Sequence, residues 1–198
     1  MTTLLLATRN RDKTREFQEM LGDLSVTIKT LEDFQQVGEI HEDTDSLEGN
    51  ALKKAREAYR ATGVPSIADD TGLEVGYLNG APGVYSARYA GPRATYGDNC
   101  EKLLRDMRGV PPRRRGARFR CAIAFVKEEE QFRLVEGVCR GVITEVRRGE
   151  NGFGYDPVFL PVGQRVTFGE MVPDEKNAVS HRARAIAELR RILPALLA

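Results

Sequence analysis

The longest uninterrupted structural signal in the chain is the segment Ala117 to Val146. Its apolar and polar residues alternate through two stretches, separated only by the charged run Lys127, Glu128, Glu129 and Glu130. Alternation of period two is the pattern of strands, and a charged interruption of that length is a hairpin end, so two long antiparallel strands are expected here. Around this hairpin, short β-branched runs alternate with helical patterns. Thr3 to Ala7 and Val26 to Leu31 read as strands; Arg11 to Leu21 reads as a helix with Phe17, Met20 and Leu21 on one face.

A second helix is expected from Ser46 to about Ala61, because Leu47, Ala51, Ala55 and Ala58 recur at helical spacing and Ser46 can cap its first turn. Ser66 to Ala68 reads as a short strand ending at Asp69 and Asp70, ahead of a turn-rich stretch with Gly72, Gly76, Gly80, Pro82 and Gly83. A third helix covers Thr95 to Met107. A C-terminal helix carries a stripe of Val179, Ala183, Ile186, Leu189 and Leu193. Helices interleaved with strands, plus one long hairpin, imply an α/β chain with a mixed sheet, expected as a single domain over residues 1–198. The loops would gather in a cleft between two lobes.

Composition narrows the class. No long uncharged apolar run exists to span a membrane, and Leu4 to Ala7 is too short for a secretory signal, so a cytoplasmic address is the expectation. A net charge of +1 gives no global field toward nucleic acid, and the basic run Arg113, Arg114, Arg115 reads as a solvated loop. Cys100, Cys121 and Cys139 are odd in number and widely spaced, which argues against disulfides and against zinc.

Five groups of residues could carry chemistry. Thr8, Asn10 and Lys13 sit where the first strand turns into the first helix, an arrangement that suits phosphate; by spacing alone, Asn10 equally serves as a simple helix cap. Asp69 and Asp70 are adjacent carboxylates that invite a divalent cation, with Glu42 of the acidic loop as a second ligand, or else they form an Asx turn beside a solvated loop. Asn50 and Lys54 lie four apart on one helix face. The turn NGFGYD combines Gly152 and Gly154 with Phe153, Tyr155 and Asp156, which can stack on a base and hydrogen-bond it, or pack as core. His181 falls opposite the apolar stripe if one helix runs through it; if Ser180 caps a helix that begins there, His181 and Arg182 present donors at its N-terminus.

TRNRDK, ADDTGLEV, GAPGVYSARYAG, NGFGYDPVF and EKNAVSHR occur in this order across nearly the whole chain. Together they resemble the inosine-triphosphatase family of non-canonical purine pyrophosphatases. That resemblance implies an elongated α/β fold with a central mixed sheet, two lobes, a homodimer, and Mg²⁺-dependent cleavage of ITP, dITP or XTP to the monophosphate and pyrophosphate. By the same resemblance Asp70 is the catalytic, metal-holding aspartate and Glu42 the other metal-associated acid. Thr8, Asn10, Lys13, Lys54 and Lys176 would bind the phosphates. Thr71, Phe153, Gly154, Tyr155, Asp156, His181 and Arg182 would grip the nucleoside, the last two favouring a 6-oxo purine. The chain departs from the family pattern at one place: Gly49 precedes Asn50 where a glutamate is usual, and Glu48 lies one position earlier. Two other readings keep the same loops: a pyrophosphatase for pyrimidine or methylated nucleotides, and a nucleotide sensor without activity.

Overall fold

The computed structural model describes residues 2–22, 24 and 26–197. Its elements run β1 (Thr2–Leu6), α1 (Arg11–Leu21), β2 (Val26–Thr30), α2 (Leu47–Thr62), β3 (Ser66–Val75), β4 (Pro82–Gly83), α3 (Tyr96–Asp106), β5 (Gly116–Glu128), β6 (Gln131–Ile143), β7 (Phe159–Pro161), α4 (Pro173–Val179) and α5 (His181–Leu197), with short 3-10 turns between them. The strands form one mixed sheet in the order β2-β1-β3-β5-β6-β7, with β4 paired to β3. The β1–β2 and β1–β3 pairs are parallel; β3–β4 and β6–β7 are antiparallel. The expected hairpin is present as β5 and β6, joined by a two-residue turn at Glu129 and Glu130.

The chain divides into two compact units, one of Met1–Asp70, Cys121–Gly137 and Arg182–Ala198, the other of Thr71–Arg120 and Val138–His181. The core of the first unit joins Leu4 and Leu6 of β1, Ile67 of β3 and Cys121, Ile123 and Phe125 of β5 to Phe17 and Leu21 of α1 and to Ala185, Ile186, Leu189 and Leu193 of α5. The core of the second joins Leu73, Val75, Leu103, Met107, Phe119, Ile143, Tyr155, Phe159 and Phe168.

Local sequence explains most element ends. Asn10 caps α1, its side chain accepting from the N–H groups of Asp12 and Lys13 at 3.0 and 3.1 Å. Ser46 caps α2 through the Gly49 N–H at 3.0 Å, and Gly63 closes that helix in the left-handed conformation. Alanines 51, 55 and 58 are fully buried, as the helical spacing predicts.

Three expectations are corrected. The short strand expected to stop at the two aspartates instead continues to Val75. The acids and Gly72 imitate a turn in the sequence, yet Leu73 and Glu74 pair with Gly83 and Pro82 and extend the ladder. The single C-terminal helix is two, because Ser180 adopts an extended backbone (φ −70°, ψ 161°) between α4 and α5. The apolar stripe of α5 therefore runs through Ala185, Ile186, Leu189 and Leu193, and Ala183 is only half-buried. The basic run is not wholly solvated. Arg115 is buried and donates to the carbonyls of Ile143 (2.6 Å), Thr144 (2.7 Å) and Met107 (2.9 Å).

Candidate functional site

Successive residues of a strand point to opposite faces of its sheet. In β3 this sorts the acid doublet. Asp69 follows Ile67 by two and faces the same helices, α1 and α5, where its Oδ2 meets Lys13 Nζ at 3.0 Å and Arg182 Nη2 at 2.9 Å. Asp70 faces α2, accepting from Asn50 Nδ2 at 3.0 Å and lying 3.5 Å from Lys54 Nζ. Asn50 and Lys54, four apart, present one helical face to it.

The two aspartates differ electrostatically. Burial would raise Asp69, but Lys13, Arg182 and Lys54 outweigh it and hold the carboxyl far below the usual carboxylate range. For Asp70, burial dominates and, with the charge of Glu42, pushes the carboxyl above its ordinary value despite Lys54 and Lys13. Burial works against the Glu42 carboxylate, but its contact with the Lys54 ammonium overrides that cost and holds its pKa below the ordinary value. Lys54, buried between Asp70 and Glu42, is correspondingly raised against its desolvation. The result is one fixed anion, one under-compensated acid, and a lysine shared by two carboxylates.

Thr8, Asn10 and Lys13 come together at the β1–α1 connection, where Thr8 Oγ1 accepts from the Asn10 N–H at 3.2 Å. Asn10 acts there as the helix cap. Among the described residues no group of three or more His, Cys, Asp or Glu side chains is placed to hold a metal ion. Glu42 and Asp70, converging on one ammonium, form a two-carboxylate set. That number fits Mg²⁺, which takes one or two protein carboxylates when phosphate oxygens and water complete its shell.

In the second unit the NGFGYD turn is a built structure. Asp156 is buried, and its Oδ2 accepts from Lys176 Nζ at 2.7 Å and from the Phe153 N–H at 2.8 Å. Lys176 Nζ also lies 4.5 Å over the Phe153 ring, and Tyr96 contacts that ring at 5.9 Å between centroids. Phe153 and Gly154 stay partly accessible. Tyr155 is buried and donates to the Ser86 carbonyl at 2.8 Å; burial and its surroundings raise its hydroxyl above the ordinary value. Thr71, next to Asp70 in β3, is half-buried.

Gly152 has φ +71°, and a Cβ there would lie 2.0 Å from Asp156 Oδ2. Gly154 has φ +62° with open space around it. Gly152→Ala is therefore expected to incur both the left-handed backbone cost of about 1–2 kcal/mol and displacement of the Asp156 carboxylate, whereas Gly154→Ala incurs the backbone cost alone. Thermal midpoints of the two variants check this: a fall no larger for Gly152→Ala than for Gly154→Ala would deny Asp156 its fixed position.

Residues 4–192 match the Ham1 family. The chain belongs to that family. It is 46% identical to a dITP/XTP pyrophosphatase of Bacillus licheniformis over 98% of this chain and 98% of that one. It is 44% identical to a dITP/XTP pyrophosphatase of Desulfotalea psychrophila over 98% of this chain and 86% of that one. A HAM1 protein from Coxiella burnetii superimposes with a TM-score of 0.91 at 40% identity, over 98% of this chain and 100% of that chain.

Two of the residues read from the Ham1-type motifs are placed differently from expectation. His181 starts α5, as the second reading of that segment has it, but it is 3% exposed and stacks on Phe119 with centroids 4.5 Å apart and planes at 12°. Arg182 is 1% exposed and binds the carboxylates of Glu16 and Asp69. Glu16 escaped the sequence reading. The signal was present: it sits one turn beyond Lys13 and beside Phe17, so a charged residue occupies the inward face of α1. Thr44 escaped as well, and no local pattern announces that it donates to the side chain of Asn50.

Proposed function

We propose that this chain is a Mg²⁺-dependent nucleoside-triphosphate pyrophosphatase, one domain over residues 1–198, that converts ITP, dITP and XTP to monophosphate and pyrophosphate and clears deaminated purines from the nucleotide pool. The observation that carries this reading is the cluster of buried Asp70 and Lys54 with half-buried Glu42, and Lys13 on the opposite side of the acid doublet. A carboxyl raised by burial, next to fixed ammonium groups, is suited to proton abstraction beside a polyanion.

Asp70 takes the proton of the attacking water. The oxygen bonds to the α-phosphorus, the bond to the bridging oxygen breaks, and pyrophosphate leaves. Lys13 and Lys54 neutralise the growing charge, and Thr8 and Asn10 shape the turn that receives the phosphates. Lys176 joins them by resemblance, and its partner Asp156 holds it in place. Asp70 and Glu42 would hold Mg²⁺, which when bound supplies Lewis-acid stabilisation of phosphate oxygens. Phe153 and Gly154 offer the accessible face for the purine ring, with Thr71, Tyr155 and Asp156 fixing the surrounding frame. His181 and Arg182 are assigned to the 6-oxo group on resemblance; their burial suits a frame that leaves a polar group unpaired when adenine enters. A homodimer and a cytoplasmic address belong to the same proposal. No helix among the described residues is long and apolar enough to cross a membrane.

Product analysis with dITP, XTP, ATP, UTP and TTP tests the reading. Pyrophosphate is expected as the only phosphate product. The 6-oxo purines should exceed ATP in kcat/KM by roughly 5–150-fold, the equivalent of one mismatched buried group. Release of orthophosphate, or a preference for UTP or TTP, would overturn it.

A further inference from the structure

Asp70 is held by more than its lysine. Asn50 is fully buried, and its Oδ1 accepts from the Thr44 N–H at 3.1 Å and from Thr44 Oγ1 at 2.8 Å. A backbone N–H can only donate, so the oxygen of this amide must face Thr44 and its Nδ2 must face Asp70. The orientation of the donor to Asp70 is thus set from the acidic loop.

Thr44 lies two residues after Glu42, whose carboxylate meets Lys54; Lys54 in turn meets Asp70. The contacts close a ring: Glu42 through the chain to Thr44, then Asn50, Asp70, Lys54 and back to Glu42. Gly49 leaves the ring room. A Cβ on Gly49 would come within 2.5 Å of Thr44 Oγ1, 2.9 Å of Ser46 Oγ and 3.0 Å of Thr44 Cβ. A side chain there would require the Thr44 side chain to turn or shift.

We propose that Asn50 is a positioning residue for Asp70, oriented by Thr44 in the space that Gly49 leaves open. Through it the loop carrying Glu42 and the Asp70 carboxylate are fixed as one unit. Both act through Asp70: Asn50 by its hydrogen bond to Oδ2, and Thr44 through Asn50. The inference rests on the pyrophosphatase reading and deepens it by naming what sets the geometry of the acid.

The test compares Thr44→Val, Thr44→Ser, Gly49→Ala and Asn50→Ala in the full chain, using pyrophosphate release from dITP with Mg²⁺ and, without nucleotide or metal, hydrogen exchange of the Thr44 amide. Thr44→Val is expected to lower kcat about 3–10-fold, the loss of one oriented hydrogen bond, with KM within about twofold. Gly49→Ala should match it, and Thr44→Ser should restore parent kcat. Asn50→Ala should release the Thr44 amide to faster exchange. If Asn50→Ala does not fold, the three variants at the half-buried positions Thr44 and Gly49 keep the test readable. Parent kcat in both Thr44→Val and Gly49→Ala, with or without a lower melting temperature, overturns the inference while the parent's activity leaves the functional reading standing. So does a change confined to KM. A parent chain that releases no pyrophosphate overturns both.

Discussion

Asp70→Asn is expected to lower pyrophosphate release by about 10²- to 10⁴-fold, the range for loss of a general base, while nucleotide still binds. Two effects add. The amide cannot accept the water's proton. It also offers one donor where the native carboxylate offers two acceptors: Oδ2 receives the Asn50 amide and Oδ1 faces the Lys54 ammonium, so whichever way the new amide turns, its NH₂ meets another donor. Binding should survive because removing a negative charge beside Lys54 makes the surroundings of the polyphosphate more positive. Turnover assays and equilibrium titration with a non-hydrolysable dITP analogue separate the two quantities. Parent-like turnover would remove Asp70 from the chemistry, and loss of binding with loss of turnover would make it a scaffold residue.

Legibility of this molecule from its sequence followed the range of the interactions. Asn10 and Ser46 bond to N–H groups two and three residues away, so the starts of α1 and α2 were readable from local pattern. The β5–β6 hairpin was readable because a charged run joins two long apolar-rich stretches, although Cys121 to Val126 of β5 are all buried and do not alternate. β3 was not, since its middle is buried on both sides and its charged pair is compensated by residues far along the chain, Lys13, Arg182, Asn50 and Lys54. Sequence periodicity records what faces water and what does not; it is silent about a buried acid whose partner is 113 residues away. For the same reason the family resemblance located Asp70, Glu42 and Lys54, whereas Glu16 and Thr44, whose roles are to hold other side chains, emerged only from coordinates. Of the two readings of His181, the helix that begins after Ser180 is the one found; its burial under Phe119 was not legible, because that ring lies far away in the chain.

Arg182→Met should produce the largest loss of stability. Arg182 is 1% exposed between Glu16 and Asp69, and removing it leaves two carboxylates in a water-poor site with one fewer counter-charge. Breaking a buried pair by deleting one partner costs roughly 3–5 kcal/mol, about 6–20 °C of thermal midpoint for a chain of this length. Methionine retains much of the volume, so the loss is electrostatic and not a cavity effect. Arg182→Lys should recover only part of it, because a single ammonium cannot present two separated N–H groups to two carboxylates as a guanidinium does. The pH dependence gives the sign. Asp69 is held far below its unfolded value near 3.8, so its contribution is fully present above that value and is lost as pH falls below it. The gap between parent and Arg182→Met should therefore be widest near neutral pH and narrow below about pH 4. Differential scanning of the nucleotide-free proteins across that range measures it. A midpoint loss under about 2 °C, less than 1 kcal/mol on the same scale, would show that Lys13 alone satisfies Asp69.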